Sequence, residues 1–204
     1  MPSASSTWSN ASAWIRSRRM CMARRRPAVG SRRPPMSEIV EQAAEAPRQL
    51  VRADGVSQDD WQRFEPADAA ALPAAEGRWL VPLATWLAHE AALRGREVGV
   101  LVAPGDDVRD LEGHLEGLAL IAVDFPSFVD GRGFSSGRLL RTALGWEGEM
   151  RAVGDVLIDT VFYLSRCGFD SFTMKPGHDG EAARGQLHAF SVSYQPQYPL
   201  GAAA

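Results

Sequence analysis

The sequence is poor in the residues that most often declare a chemistry. Its 204 residues include two cysteines, Cys21 and Cys167. Two are too few for a disulfide framework or an iron–sulfur cluster, and no C-x-x-C-H attaches a haem. The four histidines, His89, His114, His178 and His188, show no ligand spacing, so no metal site is expected. No apolar run is long enough to cross a bilayer. Neither G-x-G-x-x-G nor the Lys-Ser/Thr ending of a phosphate loop is present. These absences point to a reduced, cytoplasmic protein without a membrane partner. Its cofactor is unknown, and any redox cofactor would be borrowed or loosely held.

Acids are missing from residues 1–35, which hold eight arginines. The whole chain has a formal charge of −3, so residues 36–204 carry −11 against the leader's +8. An acidic body argues against nucleic acid as the main partner. The leader has no secretory apolar core; Trp14 and Ile15 are followed at once by Arg16. A transit peptide or a basic arm fits its composition, but the abrupt change at Met36 favours Met36 as the true start, with residues 1–35 disordered. Residues 36–77 read as an irregular segment that packs on the core through Trp61 and Phe64. Residues 78–204 read as an α/β domain with an extended tail.

From Arg78 the pattern alternates. Strands are expected at 79–83, 98–103, 118–125, 149–153 and 169–174. Helices are expected at 85–94, 108–115, 136–144, 156–167 and 179–188, with Gly95, Gly145 and Gly168 as stops. About five βα units with strands apolar on both faces imply a mostly parallel sheet covered by helices, either doubly wound or a half-barrel.

The candidate site lies in VDGRGFSSGRLL and the strand–helix unit after it. Gly131, Gly133 and Gly137 permit a tight loop, and Ser135 or Ser136 can cap the next helix. Arg132 and Arg138 beside free N–H groups suggest a cradle for a small anion; arginine pairs with Asp130 or Asp124 are the bland alternative. Gly133 to Gly137 also match G-x-S-x-G, which would make Ser135 a hydrolase nucleophile if it stood at a strand-to-helix corner. A second cluster joins Arg151, Asp155, Asp159, Tyr163 and Arg166, the last four on one expected helical face. Asp155 follows a strand's end and would stay ionised beside arginines. Cys167, at a helix C-terminus, suits a small hydrophobe better than a redox group.

The run DFPSFVDGRGFSSGRLLRTALGWEGEMRAVGDVLIDTVFYLSRCGFD resembles an uncharacterised bacterial family, and the likeness extends from about Trp79 to Gln195. Members of that family are labelled oxidoreductases involved in sulfite reduction and are typically encoded beside the siroheme sulfite reductase. The resemblance implies an accessory protein or oxidoreductase of assimilatory sulfite reduction, within sulfate assimilation and cysteine biosynthesis. Sulfite reductase, its electron donor or a small anion would be its partner. The family pattern falls on Asp124, Phe125, Pro126, Asp130, Gly131, Arg132, Gly133, Ser135, Arg141, Arg151, Gly154, Asp155, Asp159, Arg166 and Gly168. The expected binding set is Asp130, Gly131, Arg132, Gly133, Ser135, Arg138, Arg151, Asp155 and Asp159; no catalytic residue is assigned. A non-catalytic scaffold using Trp61, Trp146, Tyr194 and Tyr198 is the other reading.

Overall fold

A computed structural model describes residues 48–68, 70–190 and 192. The expected disordered leader, the start at Met36, and Tyr194 and Tyr198 lie outside the described residues. Eight strands form one sheet: β1 (Gln49–Arg52), β2 (Gly55–Gln58), β3 (Gln62–Arg63), β4 (Trp79–Pro82), β5 (Val98–Val102), β6 (Leu120–Phe125), β7 (Glu149–Gly154) and β8 (Ser171–Thr173). Their order is β2-β1-β8-β7-β6-β5-β4-β3. The ladders from β3 through β8 are parallel, while β1 pairs antiparallel with both β2 and β8. Four α-helices accompany it: α1 (Leu83–Leu93), α2 (Arg132–Thr142), α3 (Val161–Arg166) and α4 (Gly180–Gln186), with a 3-10 turn at Val108–Leu111.

The sequential order settles the choice left open by the sequence. Parallel strands that add always on one side, through right-handed crossovers, put every helix on the same face. Side chains of alternate strand residues confirm it. Val81, Val100, Val102, Ile121, Val123, Met150 and Ala152 share a large core with Trp86, Leu93, Leu140, Leu164 and Ala183 of the helices. Their neighbours Leu80, Leu101, Leu120, Ala122 and Val153 point the other way, into a small cluster joined by Trp61. The sheet is a curled half-barrel, helices outside.

Chain length fixes the curl. β2 and β3 are the two edges of the sheet. Seven strand spacings laid flat would part them by about 34 Å. Only four residue steps separate Gln58 from Gln62, a reach of about 14 Å. The edges must therefore bend toward each other, and residues 59–61 cross the gap as a strap over the concave face.

Several expectations need correction. Segment 36–77 is not irregular throughout: Asp54-Gly55 is the turn of the β1–β2 hairpin, and Gln62–Arg63 adds an edge strand. The helix expected at 108–115 is one 3-10 turn, in which the Asp107 carboxylate accepts from the Arg109 N–H at 3.0 Å. Left-handed Gly113 and Gly117 stop it. The helix expected at 156–167 begins only at Val161, because Thr160 Oγ1 turns back on Leu157, accepting its N–H at 3.3 Å and donating to its carbonyl at 2.8 Å. Trp146 is buried rather than a contact point, its ring N–H donating to the Glu149 carbonyl at 3.2 Å. Among the described residues no helix is long and apolar enough to cross a membrane.

Gly154 ends β7 with φ +100°, and a Cβ there would lie 2.4 Å from the Phe125 carbonyl oxygen. That close approach lets the Asp155 N–H donate to the same oxygen at 2.7 Å. Gly154→Ala combines left-handed strain with a backbone clash and is expected to lower stability by about 2–4 kcal/mol. Urea denaturation measures it; a loss below the cost of an ordinary surface change would remove the pinch from the account.

Candidate functional site

The carboxyl ends of the parallel strands carry the charged groups, but on two sides of the sheet. On the concave side the organising group is Arg151, which has no exposed surface. Strand alternation forces it inward between Met150 and Ala152, and a buried guanidinium needs acceptors for its donors. It finds them in Asp59 Oδ1 at 2.8 Å, Glu149 Oε1 at 2.7 Å and Ser171 Oγ at 3.3 Å. Asp59 also accepts from the Thr173 hydroxyl at 2.7 Å and from the Trp61 N–H at 3.2 Å. Trp61 lies over the Arg151 guanidinium, 5.6 Å from its ring centroid. The strap is thus tied to β7 and β8 by a buried, fully paired carboxylate.

Beyond that tie the strap encloses a pocket of about 270 Å³. Its floor is Leu80, Leu101 and Val153, and Trp61 forms a wall. Two guanidiniums line it, Arg48 and Arg63. Arg63 donates once, to Asp124 Oδ2 at 3.1 Å. Arg48 meets no carboxylate among the described residues. Gly154 completes the rim.

On the outer side, the loop 126–131 and the turn at Asp155 do meet. Asp155 Oδ2 accepts the Phe128 N–H at 3.0 Å, and Oδ1 pairs at 2.6 Å with Lys175, the only lysine in the sequence. Lys175 holds the Asp155 carboxyl below the usual carboxylate range, burial opposes this, and the Phe128 N–H assists. Asp130 binds Arg132 through both oxygens, at 3.0 and 2.7 Å, and accepts its N–H at 3.1 Å. Arg132 accordingly holds the Asp130 carboxyl low.

The expected binding set is therefore divided. Asp130 with Arg132, and Asp155 with the Phe128 N–H, share the outer rim. Ser135 and Arg138 sit in α2 and face a cleft against α3. Arg151 is enclosed on the opposite face of the sheet and spent on carboxylates. Asp159 lies exposed in the turn before α3, without a hydrogen bond among the described residues and off any shared helical face.

The expected loop glycines are helical. Gly133 and Gly137, four apart, form one face of α2. A Cβ at Gly133 would lie 2.6 Å from the Phe125 ring, and one at Gly137 2.5 Å from the Phe169 ring. Their small size serves helix–sheet packing rather than an anion cradle, while Gly131 stands open just before the helix. Because α2 starts at Arg132, Ser135 is inside a helix and not at the corner a nucleophile elbow requires. Arg138 is likewise past the first turn. Sequence reasoning missed Arg48, Asp59, Arg63 and Thr173; its one signal in this segment was Trp61, expected as an anchor on the core.

A family model described as a bacterial protein of unknown function, DUF934, matches residues 99–201. The matched stretch contains Asp124, Arg151, Gly154 and Thr173, and the strap precedes it. No curated protein matches the chain.

Two predictions follow from the concave network. Arg151→Met strands Asp59 as a buried, uncompensated acid and leaves Glu149 only its Arg52 and Ser171 contacts, and should cost about 3–5 kcal/mol in urea denaturation; adding Asp59→Asn should restore part of that. Burial pushes the Glu149 carboxyl up, but the Ser171 hydroxyl and the Arg151 and Arg52 guanidiniums outweigh it and leave it low. A folded-state pKa below the unfolded one adds stability that is fully present above the unfolded value, about 4.3, and disappears as pH falls through the folded value. Stability should thus drop as pH falls below about 5, less steeply in Glu149→Gln; equal slopes would show that Glu149 is not linked to folding.

Proposed function

The chain belongs to the DUF934 family of bacterial proteins of unknown function, and from that premise we propose that it binds a small oxyanion in the concave pocket. In this reading it serves sulfite reduction as an accessory of the reductase or of its electron donor. The observation that carries the binding half is the pair Arg48 and Arg63 lining one small, apolar-floored pocket at the strands' carboxyl ends. Parallel α/β sheets place ligands at that end. Guanidiniums recognise oxyanions through paired N–H donors, and Arg63 has used one contact of its five donors. Trp61, Leu80 and Leu101 keep water from the floor, which strengthens a charge pair there. The pocket lining holds no cysteine, histidine or lysine. Asp59 is occupied by Arg151, Thr173 and the strap's own backbone. These features favour holding an anion over transforming one.

The pathway half rests on the resemblance of DGRGFS…RAVGDVL…RCGFD to proteins labelled for sulfite reduction. The two halves separate experimentally. Calorimetric titration with sulfite and with sulfate should show binding that Arg48→Ala and Arg63→Ala each weaken about tenfold, the loss of one charge-assisted contact. No binding to the wild type, or unchanged affinity in both variants, would overturn the pocket. A deletion strain should fail on sulfate and recover with cysteine; normal growth on sulfate would overturn the pathway while leaving the pocket standing.

A scaffold role has one observation in its favour. The neighbours Phe128 and Val129 are 59% and 74% exposed in the outer-rim loop before α2, a degree of exposure typical of contact surfaces. Association with sulfite reductase that is lost in Phe128→Ser but kept in Arg63→Ala would support this reading over the anion site.

A further inference from the structure

We propose that the cleft between α2 and α3 is a second binding site, for an aromatic compound carrying a phosphate, sulfonate or carboxylate group. The cleft lies on the helical side of the sheet, apart from the concave pocket. Its volume is about 740 Å³, in the range of small-molecule sites. Its two ends differ in chemistry. At one end are Phe134 and Tyr163, ring centroids 5.1 Å apart and tilted by 57°. Tyr163 is more than half exposed, so a ring face is open for stacking.

Arg138 from α2 and Arg166 from α3 supply the other end. Both guanidiniums act on the Cys167 thiol between them: burial pushes that thiol up, and the two positive charges work against it. Both cations line the one cleft, with Arg166 also 5.9 Å from the Phe162 ring centroid. No acidic residue lines the cleft, and the Ser135 hydroxyl adds a donor. The contrast within α2 is informative. Arg132 and Arg141 of the same helix are paired with Asp130 and Asp170. Arg138 meets no carboxylate among the described residues. In a body with a formal charge of −11, a cleft of one sign is a local reversal that an anion would balance. A ring stacked on the exposed face of Tyr163 would place its anionic group at Arg138, where a charge-assisted hydrogen bond is available.

The test uses the Cys21→Ser chain, in which Cys167 is the only thiol, and follows its alkylation by N-ethylmaleimide at pH 8. Three probes separate the two ends: 1-naphthyl phosphate carries ring and anion, 1-naphthol the ring alone, and inorganic phosphate the anion alone. Naphthyl phosphate should slow alkylation severalfold at concentrations where the other two have little effect. Arg138→Gln should raise the protecting concentration about tenfold, as expected for loss of one charged contact, with an unchanged melting temperature because Arg138 pairs with no carboxylate among the described residues. Tyr163→Ala should do the same through the ring end. Failure of naphthyl phosphate to protect, equal protection by naphthol, or unaltered protection in Arg138→Gln would each overturn the proposal. None of these outcomes bears on Arg48 or Arg63, so this site and the concave pocket stand or fall separately.

Discussion

The structure depends on one contact, the Asp59 carboxylate on the enclosed Arg151 guanidinium. An arginine inside a buried strand is tolerable only if its donors are satisfied. The nearest acid on its own strand, Glu149, accepts part of them, and the rest must come from a segment folded over the concave face. That requirement draws residues 59–61 across the sheet. Once they lie there, the connection to β3 is too short for a flat sheet, and the edges curl. The pocket between strap and strands is a by-product of this geometry.

The helical side is held differently. Gly133 and Gly137 let α2 approach Phe125 and Phe169 closely, so contact there is ring against backbone. At the amino ends of the strands Arg141, buried at 5% exposure, gathers the carbonyls of Gly168, Trp146 and Gly148 together with the Asp170 carboxylate. Asp170 in turn accepts the Met150 N–H at 2.8 Å. Arg141 and Arg151 are thus architectural, one at each side of the sheet. Among the described residues Arg48 and Arg138 meet no carboxylate, and Arg63 meets Asp124 through one contact.

Much of this was readable from the sequence. The β-branched run at Val98–Val102 announced a central strand, and Gly95, Gly145 and Gly168 marked element ends, each with positive φ. The meeting of the Asp155 turn with the loop before Arg132 was legible as well, since both follow neighbouring parallel strands. The strap was not. Asp59, Trp61 and Arg63 have no periodicity of their own, and their partners lie some sixty to more than a hundred residues away. Arg151 was legible as a strand residue but misread as ligand-facing, because local pattern cannot say which acid a buried arginine will find. The glycines misled for a related reason. Spacing of four fits a helical face as well as a loop, and only the aromatic rings opposite decide between them.

The long-range ties also set an order of assembly. Thr173 and Asp59 are separated by 114 positions, and β1 hydrogen-bonds to β8 at the far end of the domain. During synthesis the hairpin of β1 and β2 leaves the ribosome early and finds no neighbour until residue 173 has emerged. Closure over so long a loop carries an entropic cost that local contacts do not offset. The pocket on the concave face, lined by Arg48 and Asp59 as well as by Thr173 and Met174, can therefore close only when the last strand arrives.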